Sequence, residues 1–180
     1  MKAVFLVGGF GIRLRPFTFT KLKPLVSLAN IPIIEHQIAS LAQAGVKEVI
    51  LCVGYLPAQL EQAKQGLEEK YNITVHISQE AVPLGTAGPL SLCADILLSD
   101  PEPFFMLNSD IICEISFEEI INFHRVHGRE GTICVTQVSD PSRYGLVISD
   151  PETHIIKEFV EKPTFSLTQL PHNYINAGIY

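Results

Sequence analysis

The chain has 180 residues, of which 47% are hydrophobic and 18% are charged, and its formal net charge is −6. This composition allows a sizeable core and excludes wholesale disorder, and the length predicts one globular domain over residues 1–180. The negative charge argues against a nucleic-acid-binding surface, so a polyanionic ligand must meet a local cluster of positive side chains.

Cysteine and hydropathy patterns predict the compartment. The four cysteines have no C-x-x-C spacing, and those inside apolar runs, such as Cys52 and Cys134, are typical small core residues. Free thiols are typical of a reducing compartment. The N-terminal apolar run is too short for a signal peptide, and no stretch approaches the ~20 apolar residues of a membrane span. We therefore expect a cytoplasmic protein with neither a membrane nor a nucleic acid as partner.

The first half of the chain alternates between predicted strands and helices. These elements are a strand over 3–7, a helix from Pro32 to Ala44, a strand over 48–53, a helix from Pro57 and a strand over 71–77. In the first helix Ile34, Ile38 and Leu41 share one apolar face at helical spacing, and Gly45 follows as its C-terminal cap.

The alternation continues after Gly85 and Gly88. Its predicted elements are a helix from Pro89 with Leu90, Ala94, Leu97 and Leu98 inward, a strand over 104–108, a helix after Ser116 and a strand over 132–138. Ser116 and Glu119 have the spacing of a capping box.

From Asp140 the pattern changes to short β-ribbon segments over 145–149, 155–161 and 173–180. Strands separated by helices indicate βαβ units. The sequence thus predicts an α/β fold with a mostly parallel, mixed sheet flanked by helices, whose ligands bind at the carboxyl ends of the strands.

A glycine-rich loop follows the first predicted strand. Gly8, Gly9 and Gly11 are followed at once by Arg13, and Lys23 comes ten residues later. Glycines let backbone N–H groups approach an anion closely, and the basic side chains supply matching charge. The loop is a candidate for binding nucleotide phosphates, with a tight surface turn carrying solvated arginines as the alternative.

Two other glycine motifs do not match this loop. The dinucleotide fingerprint G-x-G-x-x-G has Leu14 where its third glycine belongs, and Pro16 discourages a helix soon afterwards. The P-loop needs Lys-Ser or Lys-Thr after its last glycine, and Arg13 has neither behind it.

Polar residues after other predicted strands are further candidates for binding a ligand or a metal ion. Asp110 follows the 104–108 strand, where a carboxylate can hold Mg²⁺, although capping and turn aspartates are common there. Lys162 follows an apolar strand and Asn176 lies in an Asn-Ala-Gly turn; a solvated lysine and a turn asparagine are the alternatives. His124 and His127 lie one helical turn apart, a spacing more typical of a solvated helix face than of a metal site.

Seven segments in order carry a resemblance to a known family. They are residues 8–16, 23–26, 83–89, 107–113, 143–147, 159–163 and 176–178. The chain resembles the sugar-1-phosphate nucleotidyltransferases over its whole length, and within them the beta-type mannose-1-phosphate guanylyltransferase branch. The resemblance implies a Rossmann-like fold and transfer of a nucleotidyl group from GTP to mannose 1-phosphate, giving GDP-mannose and pyrophosphate for glycan precursor synthesis, with Mg²⁺ as cofactor.

The resemblance also implies roles for individual residues. The implied nucleotide-binding residues are Leu6, Val7, Gly8, Gly9, Gly11, Ile12, Arg13, Lys23, Gly85, Asn108 and Asp110. Asp110 is the implied metal ligand, and Arg13, Lys23 and Lys162 are the implied catalytic residues. Those implied to bind the sugar phosphate are Gly145, Glu161, Lys162 and Asn176.

The chain departs from the family pattern in two ways. Ile12 stands where threonine is common, and Leu22 replaces the usual proline before Lys23; both changes are expected to alter loop rigidity. Family members continue past Asn-Ala-Gly with a second metal-binding aspartate and a left-handed β-helix. The chain is therefore expected to be the N-terminal portion of the catalytic domain, with weak activity and marginal stability alone, and the full-length form to be a homo-oligomer or a complex with a related regulatory subunit.

Other functions remain compatible with the residues. One is a non-catalytic regulatory subunit that binds sugar nucleotides, and another is a glucose-1-phosphate nucleotidyltransferase of different base specificity. A dinucleotide-dependent dehydrogenase is disfavoured by Leu14 in the glycine loop.

Overall fold

The structure is a computed structural model. It describes the chain except for Phe10, Tyr55, Pro83, Thr86, residues 165–171 and the side chain of Arg13. The described chain forms two compact units, Met1–Arg129 and Glu130–Tyr180. None of the helices described is long and apolar enough to cross a membrane.

The first unit is an α/β unit built on a parallel sheet. Its strands and helices are β1 Lys2–Val7, β2 Ser27–Leu28, β3 Ile31–Pro32, α1 Ile33–Gln43, β4 Glu48–Val53, α2 Pro57–Tyr71, β5 Thr74–Gln79, α3 Pro89–Leu92, α4 Ala94–Leu97, β6 Phe104–Asn108 and α5 Phe117–His127. β2 and β3 form a small antiparallel hairpin. Single turns of 3-10 helix at Ile12–Leu14, Phe17–Phe19 and Lys23–Leu25 lie between β1 and β2.

The main sheet has the strand order β5-β4-β1-β6, and every neighbouring pair is parallel. The central strands are buried on both faces; Val4 and Phe5 of β1 and Ile50 of β4 have no exposed surface. This burial explains the continuous apolar runs in the sequence. The predicted parallel sheet flanked by helices is confirmed, and all four carboxyl ends lie along one edge.

Two predicted helices are confirmed with their caps. In α1 the predicted positions Ile34, Ile38 and Leu41 are buried, and Gly45 follows with φ +91°. At the start of α5, Ser116 Oγ accepts a hydrogen bond of 3.1 Å from the Glu119 backbone N–H.

The predicted strand over 71–77 was misplaced. α2 continues to Tyr71 and ends where Asn72 adopts a left-handed conformation with φ +51°. Asparagine tolerates this conformation better than most residues, so it can end a helix as glycine does. The strand therefore starts at Thr74 and extends to Gln79.

The predicted helix from Pro89 is broken into α3 and α4 at Cys93, whose φ is −116°. Leu97 is buried as predicted, whereas Leu98 lies beyond the end of α4 and is 79% exposed. The inward position predicted for Leu98 is therefore wrong.

The second unit is an antiparallel sheet. Its strands are β7 Val135–Gln137, β8 Gly145–Ser149, β9 Ile156–Glu161 and β10 Tyr174–Asn176, in the order β7-β10-β8-β9. The predicted β-ribbon segments are thus confirmed, except that the segment predicted over 173–180 forms a strand only over Tyr174–Asn176. The strand predicted over 132–138 is shorter and pairs antiparallel with β10, so it does not extend the parallel sheet as the alternating pattern suggested.

Candidate functional site

A cavity of about 500 Å³ lies at the carboxyl ends of the parallel strands in the first unit. It is lined by Leu6, Gly8, Gly9, Lys23, Cys52, Gly54, Glu80, Ala81, Val82, Gly85, Pro89, Asn108, Ser109 and Asp110. Each strand of the main sheet contributes its last residue or the loop that follows it. This is where open α/β sheets bind their ligands.

An ion pair lies in this cavity. The Lys23 ammonium hydrogen-bonds the Asp110 carboxylate, and both side chains are partly exposed. Asp110 lies two residues beyond β6, and Lys23 opens the third 3-10 turn. Two segments far apart in sequence thereby bring opposite charges to one place.

Gln59 on α2 fixes the backbone that leads to Lys23. Its amide Nε2 donates to the Thr20 carbonyl at 2.8 Å, and its Oε1 accepts from the Leu22 N–H at 2.9 Å. A proline at position 22 has no N–H and could not make the second bond. Leu22 thus replaces the rigidity of a proline ring with a hydrogen bond from the backbone.

Two hydrogen bonds support the segment that carries Asp110. Gln37 of α1, only 3% exposed, donates from Nε2 to the Asn108 carbonyl at 2.9 Å. Ser109 Oγ donates to the Leu6 carbonyl at 2.9 Å and so joins the ends of β6 and β1. The end of β6 is thereby held against both the helix and the neighbouring strand.

The three glycines of the loop differ in their surroundings. A Cβ on Gly8 or Gly9 would have no heavy atom within 4 Å, and both residues line the cavity. Gly11 has φ +59°, and a Cβ there would lie 2.9 Å from Thr18 Cγ2 and 3.3 Å from Lys23 Cβ. Gly11 therefore allows the loop to pack closely, while Gly8 and Gly9 leave the cavity open.

The cavity brings together seven of the residues predicted to bind the nucleotide. These are Leu6, Gly8, Gly9, Lys23, Gly85, Asn108 and Asp110. Three others do not line it: Val7 is 4% exposed and belongs to the core, Gly11 packs as described above, and Ile12 is 64% exposed. The side chain of Arg13 lies outside the described residues, as do Phe10, Pro83 and Thr86 from the quoted motifs.

The residues predicted to bind the sugar phosphate lie together in the second unit. Gly145 of β8 pairs with Glu161 of β9, and the next step of the antiparallel β8-β10 register places Asn176 beside Gly145. We call Gly145, Glu161 and Asn176 the three-strand row. Lys162 directly follows Glu161 in the sequence, and its backbone φ is +49°. Its Nζ lies 3.7 Å from Glu161 Oε1.

Polar atoms of the three-strand row already have partners in this unit. Asn176 donates to the Tyr180 hydroxyl at 2.6 Å and accepts from the Gly178 N–H at 2.8 Å. Gly145 is covered by a ring, since a Cβ there would lie 2.3 Å from Phe159 Cζ.

Comparison with protein families gives a match to the nucleotidyl transferase family over residues 2–180. This chain belongs to the nucleotidyl transferase family. It is 51% identical to a mannose-1-phosphate guanyltransferase from Schizosaccharomyces pombe and 49% identical to the mannose-1-phosphate guanylyltransferase catalytic subunit beta from Danio rerio. Each alignment covers 100% of this chain and 49% of the relative, so the chain spans about half the length of the curated relatives it matches.

Solved structures share this nucleotidyl transferase fold. A Bacillus anthracis protein described as a glucose-1-phosphate thymidylyltransferase superposes with a TM-score of 0.83 at 22% identity, covering 99% of this chain and 69% of that one. A UDP-glucose pyrophosphorylase in complex with UDP-glucose gives 0.79 at 18% identity, covering 99% and 74%. At these identities the likeness establishes the fold.

Residues after β4 and β5, above all Gly54 and Glu80, also line the cavity of this nucleotidyl transferase and were not predicted from the sequence. The Glu80 N–H donates to the Val53 carbonyl at 3.0 Å, and its carboxylate Oε2 accepts from the Leu84 N–H at 2.9 Å. The position directly after each parallel strand was the available signal, but the predicted strand ended at Ile77 and hid Glu80.

Cys52 also lines the cavity and was predicted only as a core residue. Burial, together with the neighbouring Cys93, raises the pKa of the Cys52 thiol to about 12. The thiol is therefore neutral at physiological pH, and it contributes a small apolar wall to the cavity.

Nucleotidyl transfer generally uses a divalent metal ion. Within the described residues no three His, Cys, Asp or Glu side chains form a metal-binding group. The Asp110 carboxylate nevertheless fits Mg²⁺, which often takes one or two carboxylates and completes its shell with water and substrate phosphates. That carboxylate already binds a cation, the Lys23 ammonium.

Proposed function

We propose that this chain belongs to a mannose-1-phosphate guanylyltransferase, in which the first unit binds the nucleotide. The observation that carries the proposal is the cavity at the carboxyl ends of the strands, where two open glycines and the Lys23–Asp110 pair meet. Identities near 50% to relatives of that name over the whole chain support the substrate assignment.

In the proposed reaction a phosphate oxygen of mannose 1-phosphate forms a bond to the α-phosphorus of GTP. The bond from that phosphorus to the oxygen bridging to the β-phosphate breaks, and pyrophosphate leaves with the electron pair. Because the nucleophile is already an anion, no general base is needed. Catalysis then consists of positioning and charge neutralisation, as in phosphoryl transfer generally.

The loop residues bind and orient the triphosphate in this proposal. Gly8 and Gly9 present backbone to the nucleotide without side chains in the way. Lys23 contacts phosphate near the reacting centre and Arg13 stabilises the departing β- and γ-phosphates. The Lys23–Asp110 pair is then the resting arrangement, in which the ammonium neutralises the carboxylate until phosphates compete for it.

We propose Mg²⁺ as the cofactor, held by Asp110 and by phosphate oxygens of the substrate. When bound, the ion neutralises negative charge that builds up on the phosphates. With Mg²⁺ held by Asp110, the ion would neutralise that carboxylate in place of the Lys23 ammonium, and Lys23 would be free to bind phosphate.

Residues of the second unit are proposed to bind the sugar phosphate. Lys162 supplies the positive charge, and Glu161 and Asn176 hydrogen-bond sugar hydroxyl groups beside Gly145. The Asn176 amide uses one N–H on Tyr180 and one lone pair on Gly178, so it keeps a second N–H and a second lone pair for a sugar hydroxyl group. We further propose that the full-length protein works in the cytoplasm, as a homo-oligomer or with a related regulatory subunit.

The test is turnover by the full-length protein with GTP, mannose 1-phosphate and Mg²⁺. We expect pyrophosphate release in step with GDP-mannose, identified by mass spectrometry. Nucleotide binding with no release would favour a regulatory subunit. Faster release with glucose 1-phosphate and dTTP, UTP or ATP would assign the domain to a different sugar nucleotide.

A further inference from the structure

Gln59 joins helix α2 to the segment that carries Lys23. It lies in the first turn of α2, where its backbone N–H donates to the Leu56 carbonyl at 3.2 Å. The next residue, Leu60, has no exposed surface, so this turn is held against the core of the first unit. The Gln59 side chain therefore starts from a fixed point, and its two hydrogen bonds reach the backbone just before Lys23.

Hydrogen bonds hold the backbone on both sides of Lys23. On the N-terminal side, the Leu22 N–H donates to Gln59 Oε1 at 2.9 Å. On the C-terminal side, the Leu25 N–H donates to the Leu22 carbonyl at 3.0 Å. The Val26 N–H donates to the Lys23 carbonyl at 3.2 Å. Both backbone polar groups of Leu22 are thus bonded, and the Lys23 ammonium projects from a backbone that is held in place.

The backbone angle of Leu22 shows what the bond to Gln59 achieves. Its φ is −59°, close to the value of about −65° that a proline ring imposes. Leucine has no ring to hold this angle, so the hydrogen bond from its N–H to Gln59 holds it instead. Because the Lys23 side chain is long and partly exposed, any freedom gained by this backbone adds to the freedom of its ammonium group.

We propose that Gln59 is a positioning residue for the triphosphate, which holds Lys23 at the phosphate-binding end of the cavity. This inference rests on the proposed function, which places a nucleoside triphosphate in the cavity. Gln59 is not among the described residues that line the cavity, so it acts through Lys23. A cation that is held before the ligand arrives loses less conformational freedom on binding, and the phosphate is bound more tightly as a result.

The experiment measures GTP affinity by calorimetry, in Mg²⁺, for the wild-type full-length protein, for Gln59→Leu and for Gln65→Leu. Leucine suits a helix as well as glutamine does, so α2 is kept while both hydrogen bonds are lost. Gln65 is the matched control, because it is an exposed glutamine of α2 that donates to Glu69 at 2.8 Å. Gln65→Leu should bind GTP as wild type does, and Gln59→Leu should bind it roughly 5- to 10-fold more weakly.

Two further backgrounds distinguish the positioning of Lys23 from a general effect on the fold. In Lys23→Met, adding Gln59→Leu should change GTP affinity by less than about twofold, since the cation to be positioned is absent. In Leu22→Pro, the ring fixes φ without the hydrogen bond, and adding Gln59→Leu should again change affinity by less than about twofold. Each double variant is compared with its own single variant, because Leu22→Pro also removes buried apolar atoms.

Three results would overturn the role of Gln59 and leave the nucleotide site standing. One is a Gln59→Leu variant that binds GTP as tightly as wild type does. Another is an equal loss of affinity from Gln59→Leu in the wild-type background and in either Lys23→Met or Leu22→Pro. The third, rapid hydrogen exchange of the Leu22 amide in the wild-type protein, needs no variant. Failure of the wild-type protein to bind GTP would overturn the proposed function, and the role of Gln59 with it.

Discussion

The cavity of the first unit and the three-strand row of the second hold their polar groups in different states. Around the cavity, Gly8 and Gly9 face open space and Lys23 and Asp110 are partly exposed. In the row, Gly145 is covered by Phe159 and the Asn176 amide is hydrogen-bonded at both ends. The comparison teaches that the glycines of the cavity leave space open, whereas the row has its glycine covered and part of the hydrogen-bonding capacity of its amide in use.

The largest expected effect comes from replacing the Asp110 carboxylate in the cavity. Asp110→Asn removes the charge that pairs with Lys23 and that would hold Mg²⁺, and we expect turnover to fall by roughly 10³. Steady-state kinetics of the full-length protein measure this, with Asp95→Asn as control because Asp95 is exposed and does not line the cavity. Equal activity of the two variants would remove Asp110 from the site.

The variant Lys162→Met tests the three-strand row in the same kinetic assay. Lys162→Met should lower kcat/KM for mannose 1-phosphate by roughly 10², since a charge-assisted bond to phosphate is lost, and leave GTP affinity unchanged. Lys157 lies on β9, which ends directly before Lys162, and it pairs with Asp150 at 2.8 Å, so Lys157→Met is the matched control. A loss of GTP affinity in Lys162→Met would mean that the two regions do not divide the substrates as proposed.

Adding one methyl group distinguishes open from covered glycines. Gly145→Ala must displace the Phe159 ring, and we expect it to lower the free energy of unfolding by about 1–2 kcal/mol. Gly8→Ala meets no neighbour, so stability should stay within about 0.5 kcal/mol while nucleotide affinity falls. Urea unfolding and GTP titration of both variants check this, and a destabilised Gly8→Ala would contradict the open cavity.

These contrasts could be predicted only in part from the sequence. β4 and β6 have the predicted bounds because their apolar runs end sharply, and Asp110 was found because it follows such a run. Glu80 was missed because Asn72 ends α2 later than the pattern suggested, which moves β5 by two residues at its end. Which glycines are open and which are covered depends on distant neighbours, such as Phe159 against Gly145, and periodicity carries no such information.

The departures of the glycine-rich loop segment from the family pattern show the same limit of prediction from sequence. Leu22 in place of proline predicted a change in loop rigidity, but its compensation comes from Gln59, 37 residues away in sequence. A long-range hydrogen bond of this kind leaves no local signal.

The smallest expected effect is the response of the second unit to acid. A hydrogen bond from Lys157, with backbone N–H groups of Thr153 and Glu152, holds the pKa of Asp150 far below its ordinary value of 3.8. A lowered folded-state pKa stabilises the fold above pH 3.8, and this contribution is lost as pH falls below that value. Asp150→Asn should therefore show a smaller loss of unfolding free energy between pH 6 and pH 3 than wild type; an identical loss would contradict the assignment.

Hydrogen–deuterium exchange with and without GTP and Mg²⁺ locates the nucleotide most directly. Bound GTP should slow exchange of backbone amides at Gly8 and Gly9, over residues 80–85 and over residues 108–110, and should leave the exposed helix α5 unchanged. Unchanged exchange in all three cavity segments at saturating GTP, or protection confined to segments outside the cavity, would contradict a nucleotide site at the carboxyl ends of the parallel strands.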